Sequence, residues 1–204
     1  MNILLSVLVF YPFLGGLLSC AVGTRNEKAR DFMAEFVAVS EFVLMLVIVC
    51  LYPDNVISLY IPEVCGLGLH FTLDGFRRIY GMIAALMWMM TTLLSREYFR
   101  HHENRNRFYL FLLLTLGATM GVFLSEDLFT TFIFFEIMSF TSYVWVAQEE
   151  TQDSLRAAAT YLAVAVTGGL VMLMGVFILY HELGTLMIHF FISAKKKRIF
   201  LQIY

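Results

Sequence analysis

Apolar and polar positions alternate along this chain in long blocks, not residue by residue. Apolar runs at about Ile3–Val22, Phe32–Tyr52, Ile79–Ser95, Phe108–Leu124, Leu128–Ala147 and Ala157–Tyr180 are separated by short stretches that hold nearly all the charge. A helix needs ~20 apolar residues to cross a bilayer, at ~1.5 Å of rise per residue. The pattern therefore predicts six spanning helices. Tyr11-Pro12 falls inside the first, where the missing backbone N–H predicts a break or kink. Pro53 closes the second. Between helices two and three, residues 54–74 alternate loosely, as in Val56-Ile-Ser-Leu-Tyr-Ile and Gly66-Leu-Gly-Leu-His-Phe-Thr-Leu, with Pro62 and two glycines as punctuation. This predicts a short extended or hairpin element at the membrane surface. The fold class is all-α, a polytopic transmembrane bundle.

Composition agrees with that pattern. The chain has 204 residues, 60% of them hydrophobic, with a mean hydropathy of +0.77. Soluble domains are nearer ~45–50% apolar. Net charge is −2, which gives no reason to expect nucleic acid. Cys20, Cys50 and Cys65 are odd in number and widely spaced, as apolar packing residues would be. The N-terminus lacks a basic n-region and a small-residue cleavage site, so the first helix is expected to be retained.

The positions of the charges set the topology. Arg25, Lys28, Arg30, Arg96, Arg100, Arg105, Arg107 and Arg156 fall on the loops of one side, and only Arg77 and Arg78 on the other. By the positive-inside tendency the first loop is cytoplasmic and the N-terminus outside. The end of the chain does not fit this scheme. After six spans come the short apolar run Leu186–Ile192 and then Lys195-Lys-Lys-Arg198. That run is too short to return across a bilayer. The expected division is a transmembrane domain over 1–183 and an atypical basic tail over 184–204.

Glu136 is the one charge in the run Leu128–Ala147 and lies near its middle. An ionised carboxylate at that depth costs at least ~2.5–3.5 kcal/mol, and such residues mark ion and proton pathways. At helical spacing it shares a face with Phe132, Ile133, Ser139, Phe140 and Tyr143; Ser139 is placed to donate to it. The bland alternative is a neutral, hydrogen-bonded Glu that holds helices together.

Glu41 lies nine residues beyond Phe32 in helix two, ~13 Å deep by helical rise. It is a second candidate member of a pathway, or else a partner-facing contact. Glu35 is close enough to the helix end to be solvated. Asp74 with Arg77 and Arg78, and Asp127, suit helix starts. Thr160, Thr167, Gly168 and Gly169 suit close helix packing, and Trp145 suits an interfacial aromatic belt. His101-His102 has no third ligand beside it, and phosphate-loop, nucleophile-elbow and zinc patterns do not occur. No cofactor or metal is expected, and no active site of the chain's own.

Four local matches carry a resemblance over about residues 70–183. They are Leu73-Asp-Gly, Ser125-Glu-Asp-Leu-Phe, Phe134-Phe-Glu-Ile-Met-Ser-Phe-Thr-Ser-Tyr143, and Arg156-Ala-Ala-Ala-Thr-Tyr-Leu with Gly168-Gly169 further on. In these the chain resembles the antiporter-like membrane subunits of proton-pumping NADH:quinone oxidoreductase, of multi-subunit cation/proton antiporters and of membrane-bound hydrogenases. The resemblance implies proton translocation with Glu136 as the embedded glutamate of helix five. Implied partners are other membrane subunits of a complex, the lipid bilayer, and protons or Na+. The implied location is a bacterial-type inner or plasma membrane, with electron transfer left to soluble partner subunits. Such subunits resemble paired inverted repeats whose lysines lie in later helices. The chain is therefore expected to be an N-terminal, truncated member. The rival expectation is a small structural or assembly membrane protein in which Glu136 is a packing contact.

Overall fold

A computed structural model describes residues 2–53, 55–99 and 105–188. Asp54, Arg100, His101-His102 and the basic tail Lys195–Arg198 lie outside the described residues. The described residues form six helices and one hairpin: α1 (Asn2–Gly23), α2 (Glu27–Leu51), β1 (Ile57–Ile61), β2 (Leu69–Leu73), α3 (Gly75–Tyr98), α4 (Arg105–Leu124), α5 (Leu128–Val146) and α6 (Gln152–Leu183). All six helices are long and apolar enough to cross a membrane.

Helices α2, α3 and α6 begin earlier than their apolar runs because side chains cap their polar first turns, and α5 is capped where its run starts. Asn26 accepts from the amides of Lys28 and Ala29 at the start of α2. Asp74 accepts from the Arg77 amide at α3, Asp127 from the Thr130 amide at α5, and Thr151 from the Ser154 amide at α6. Each bond satisfies an amide that has no partner within its helix. Gly184, with φ 64°, ends α6 in the left-handed conformation, its N–H donating to the Tyr180 carbonyl. The 32 residues of α6 rise ~48 Å against a hydrocarbon layer of ~30 Å, so this helix extends beyond the apolar slab or tilts within it.

One sequence expectation fails here. Helix α1 runs unbroken through Pro12. A transmembrane helix tolerates the lost N–H when neighbouring helices and local adjustments satisfy the freed carbonyl. Beside Pro12, the Tyr11 hydroxyl hydrogen-bonds Ser40 Oγ of α2 at 2.7 Å.

Helix α4 is the centre of the bundle, packing on α1, α2, α3 and α5. It buries most of its surface, whereas α6 packs on α5 and leaves nearly all of its surface open. Close approach around α4 relies on glycine. A methyl group on Gly117 would sit 2.5 Å from Phe13 Cε2 and 3.0 Å from the Val9 carbonyl oxygen. On Gly168 it would meet nothing within 4 Å. Gly117→Ala is therefore expected to destabilise the fold by ~1–3 kcal/mol through overpacking. Gly168→Ala is expected to be neutral or stabilising by up to ~1 kcal/mol, because glycine disfavours helix interiors. Thermal unfolding in detergent checks the pair.

The hairpin is antiparallel, with Ile57 opposite Leu73, Leu59 opposite Phe71 and Ile61 opposite Leu69. Its turn uses the left-handed conformation at Gly66 and Gly68, both at φ 77°. A side chain on Gly68 would also collide with the Tyr60 ring. Ile57, Leu69, Phe71 and Leu73 are buried, so the hairpin closes one end of the bundle. It is tied to the α4–α5 turn: the Glu126 amide donates to the His70 carbonyl, the His70 amide to Thr130 Oγ1, and Thr72 Oγ1 to Glu126 Oε2. The segment after α6 joins the same end, the Leu128 amide donating to the Leu186 carbonyl and the Ile188 amide to the Glu126 carbonyl. At this end Arg77 pairs with Asp74, and Arg78 donates to the carbonyls of Pro53 and Asn55.

Candidate functional site

The opposite end of the bundle gathers the basic residues. Arg30, Arg96, Arg105 and Arg107 all make ion pairs there, with Asp31, Glu35, Asp31 and Glu150 respectively. The six helices thus run alternately between a basic end and a hairpin end, as the apolar runs imply.

Glu136 lies midway along α5, ~12 Å from its first residue by helical rise. Its carboxyl is directed at α6 and rests against Gly169, where any side chain would overlap it. Gly169 is buried although α6 as a whole is open. The absence of a side chain at that position is what lets the carboxyl into the α5–α6 contact. Glu136 Oε1 is buried and has no hydrogen-bond partner.

Ser139, expected as a donor to this carboxyl, instead donates to the Phe135 carbonyl at 2.9 Å. A helical Ser readily takes the free lone pair four residues back. Thr141, on another face of α5, bonds Thr115 of α4 at 2.9 Å. The small residues of α6 divide in role. Gly169 receives the carboxyl, while Thr160 and Thr167 are exposed and donate to their own helix, at Arg156 and Ala163.

Glu41, on α2, is fully buried, and both carboxyl oxygens lack a partner. One turn further along α2, Met45 lies against the Gly81 position of α3. Helix α4 packs on both α2 and α5 and stands between the two helices that carry these acids. The structure does not bring Glu41 and Glu136 together; no hydrogen bond joins them among the described residues. Trp145 lies near the basic end of α5. Its ring packs on Trp88 and Phe108, and its Nε1 is buried.

Sequence reasoning misses a buried charge cluster at the basic end. Arg30 and Asp31 are 3% and 6% exposed. Asp31 Oδ1 accepts from Arg30 at 2.9 Å, and Oδ2 from Arg105 at 2.5 Å. The Arg30 guanidinium stands 5.5 Å over the Tyr109 ring, a cation–π geometry. By hydropathy alone these residues belong to loops. The signal that places Arg30 and Asp31 in a helix is Asn26, whose capping starts α2 at Glu27.

Comparisons with known proteins follow the same outline. Residues 125–202 match the family described as NADH:quinone oxidoreductase/Mrp antiporter, TM. The chain is 30% identical over 192 residues to the probable A/B subunit of a K(+)/H(+) antiporter from Rhizobium meliloti (strain 1021), covering 89% of this chain and 19% of that protein. It is 27% identical to a putative antiporter subunit mnhD2 of Staphylococcus haemolyticus (strain JCSC1435), covering 90% of this chain and 37% of that protein. It therefore spans well under half the length of these curated relatives. Two solved structures share the fold. One is the membrane-bound sulfane sulfur reductase, an archaeal respiratory membrane complex, with TM-score 0.75, 24% identity, and 89% of this chain on 28% of that one. The other is the Mrp complex from Dietzia sp. DQ12-45-1b, with TM-score 0.73, 19% identity, and 90% on 20%. With six apolar helices, the hairpin and the mid-span Glu136 already in place, the chain is similar over residues 125–202 to the membrane family that NADH:quinone oxidoreductases and Mrp antiporters share, and along most of its length to antiporter subunits.

Proposed function

We propose that this chain serves a cation/proton-translocating membrane complex, and that Glu136 takes up and releases a proton at mid-membrane depth. The observation that carries this is the Glu136 carboxyl itself. It lies against a glycine with Oε1 buried and unpartnered. A glutamate kept only to hold helices together gains by hydrogen-bonding across the interface, since an unmade bond there costs ~1–3 kcal/mol. The packing-contact reading offers no such bond. Glu41 is the second candidate station, buried on the other side of α4. Other membrane subunits are the partners this reading requires, with protons and Na+ or K+ as the transported ions. Any redox chemistry of a parent complex would belong to other subunits. The test is cation-driven proton movement in vesicles that hold this chain with its membrane partners. Transport that is unchanged in Glu136→Gln would overturn the reading.

The basic end is proposed to face the cytoplasm and the N-terminus the outside, on the distribution of Lys and Arg. Cys65 is exposed in the turn of the hairpin. An impermeant maleimide added outside intact cells should label it. In a Cys20→Ser, Cys50→Ser, Cys65→Ser background, Lys28→Cys should resist the same reagent. The reverse pattern would invert the topology.

A further inference from the structure

At the basic end a cavity of about 540 Å³ opens between α2, α3 and α4, lined by Lys28, Asp31, Leu93, Arg96, Glu97 and Arg105. Behind it, buried polar groups continue into the bundle. Asp31 holds Arg30, and Arg30 covers the Tyr109 ring. The Tyr109 hydroxyl is 3.5 Å from Ser95 Oγ, and Ser95 Oγ donates to the Thr92 carbonyl. Tyr109 and Thr92 are fully buried and Ser95 nearly so. None of these hydroxyls is needed to close an apolar core. Each retains acceptor capacity beyond the bond it makes, and each can rotate to pass a proton on.

Two contacts fix how α3 runs against α2 beyond this point. Arg96 pairs with Glu35, and Gly81 meets Met45. Between these crossings lie Glu41 and Ala38 on α2, and Ala84 and Ala85 on α3. All four are buried. The alanines give the smallest walls a helix contact can have other than glycine, and Glu41, in the same interval of α2, has two unpartnered oxygens. A buried polar group without a partner calls for a functional or solvent explanation.

We infer that Glu41 exchanges its proton with water at the basic end through the seam of α2, α3 and α4, by way of Tyr109, Ser95 and Thr92. The inference rests on Glu41 being a proton-carrying station, as proposed above. It adds an entrance distinct from the α5–α6 contact where Glu136 lies.

The experiment is time-resolved infrared spectroscopy of the whole chain in lipid nanodiscs after transfer to D₂O. A protonated carboxyl gives a C=O band that shifts on deuteration. Glu41→Gln identifies the Glu41 component by removing it, and Glu136→Gln does the same for Glu136. Thr92→Val, which keeps the side-chain shape, and Tyr109→Phe are each expected to slow the Glu41 shift on the order of tenfold, the factor given by ~1.4 kcal/mol on a barrier. Neither should change the Glu136 shift. Thr160→Val, on the open face of α6, should change neither. An unchanged Glu41 rate in both seam variants would overturn the inference, as would equal slowing of both carboxyls or the lack of any Glu41 band. A Glu41 band that exchanges at unchanged rate would defeat the route but leave Glu41 as a proton carrier. Transport by Glu136→Gln is a separate measurement and decides the wider reading independently.

Discussion

Glu136→Gln is expected to lower the initial rate of cation-driven proton movement on the order of 10²-fold, the scale on which a positioned proton-transfer group contributes. The amide matches the carboxylic acid in size and should preserve the contact with Gly169. It cannot take up or release a proton in the working range. Loss of transport with unchanged thermal unfolding would therefore separate proton chemistry from packing. Glu136→Asp should hurt less. It keeps the acid but withdraws it by one methylene, ~1.5 Å, from α6, so any loss comes from geometry alone. Gly169→Ala tests the same contact from the other side. Its methyl would overlap the carboxyl, so the acid must move even though its chemistry is intact. The expected order of rates is wild type, then Glu136→Asp and Gly169→Ala, then Glu136→Gln. Wild-type rates in Glu136→Gln would restore the packing-contact alternative.

The number and order of the spans were legible because hydropathy reports directly on the apolar slab. The hairpin was legible because Pro62, Gly66 and Gly68 punctuate an alternating segment. Helix limits were less so. Hydropathy finds where a helix meets hydrocarbon, whereas the backbone stays helical until its last amides are capped. The first turns of α2, α3 and α6 therefore lay outside the apolar runs, and their caps, Asn26, Asp74 and Thr151, mark the true starts. Glu136 stood out by isolation, a property of one segment alone. Its placement against Gly169 depends on the register of α5 on α6, which no single segment contains. The same holds for Asp31. Its neighbour Arg30 is local, but Arg105 comes from 74 residues away.

Asp31→Ala is expected to be among the most destabilising single substitutions at the basic end. Asp31 accepts from Arg30 Nε at 3.0 Å and from a second Arg30 nitrogen at 2.9 Å, while Arg105 reaches its other oxygen at 2.5 Å. The side chains of Arg30, Asp31 and Arg105 are 3%, 8% and 13% exposed. Two guanidiniums thus share one buried carboxylate, and they stay charged when it is removed, since Arg does not deprotonate in proteins. Removing the common partner of a buried charged group costs ~3–5 kcal/mol, mostly as uncompensated desolvation. Asp31→Asn keeps an acceptor and should lose less. The control is Glu150→Ala, which breaks the pair with Arg107. There the side chains are 50% and 35% exposed, and pairs in solvent are worth ~0–1 kcal/mol. Equilibrium unfolding in mixed micelles should separate the two substitutions by several kcal/mol. Because Asp31 joins α2 to α4 through Arg105, its loss should also free the start of α4, seen as faster amide exchange from Arg107 to Tyr109 than in Glu150→Ala. Similar stabilities for Asp31→Ala and Glu150→Ala would show that water reaches the Arg30–Asp31–Arg105 cluster and screens it as it does the surface pair.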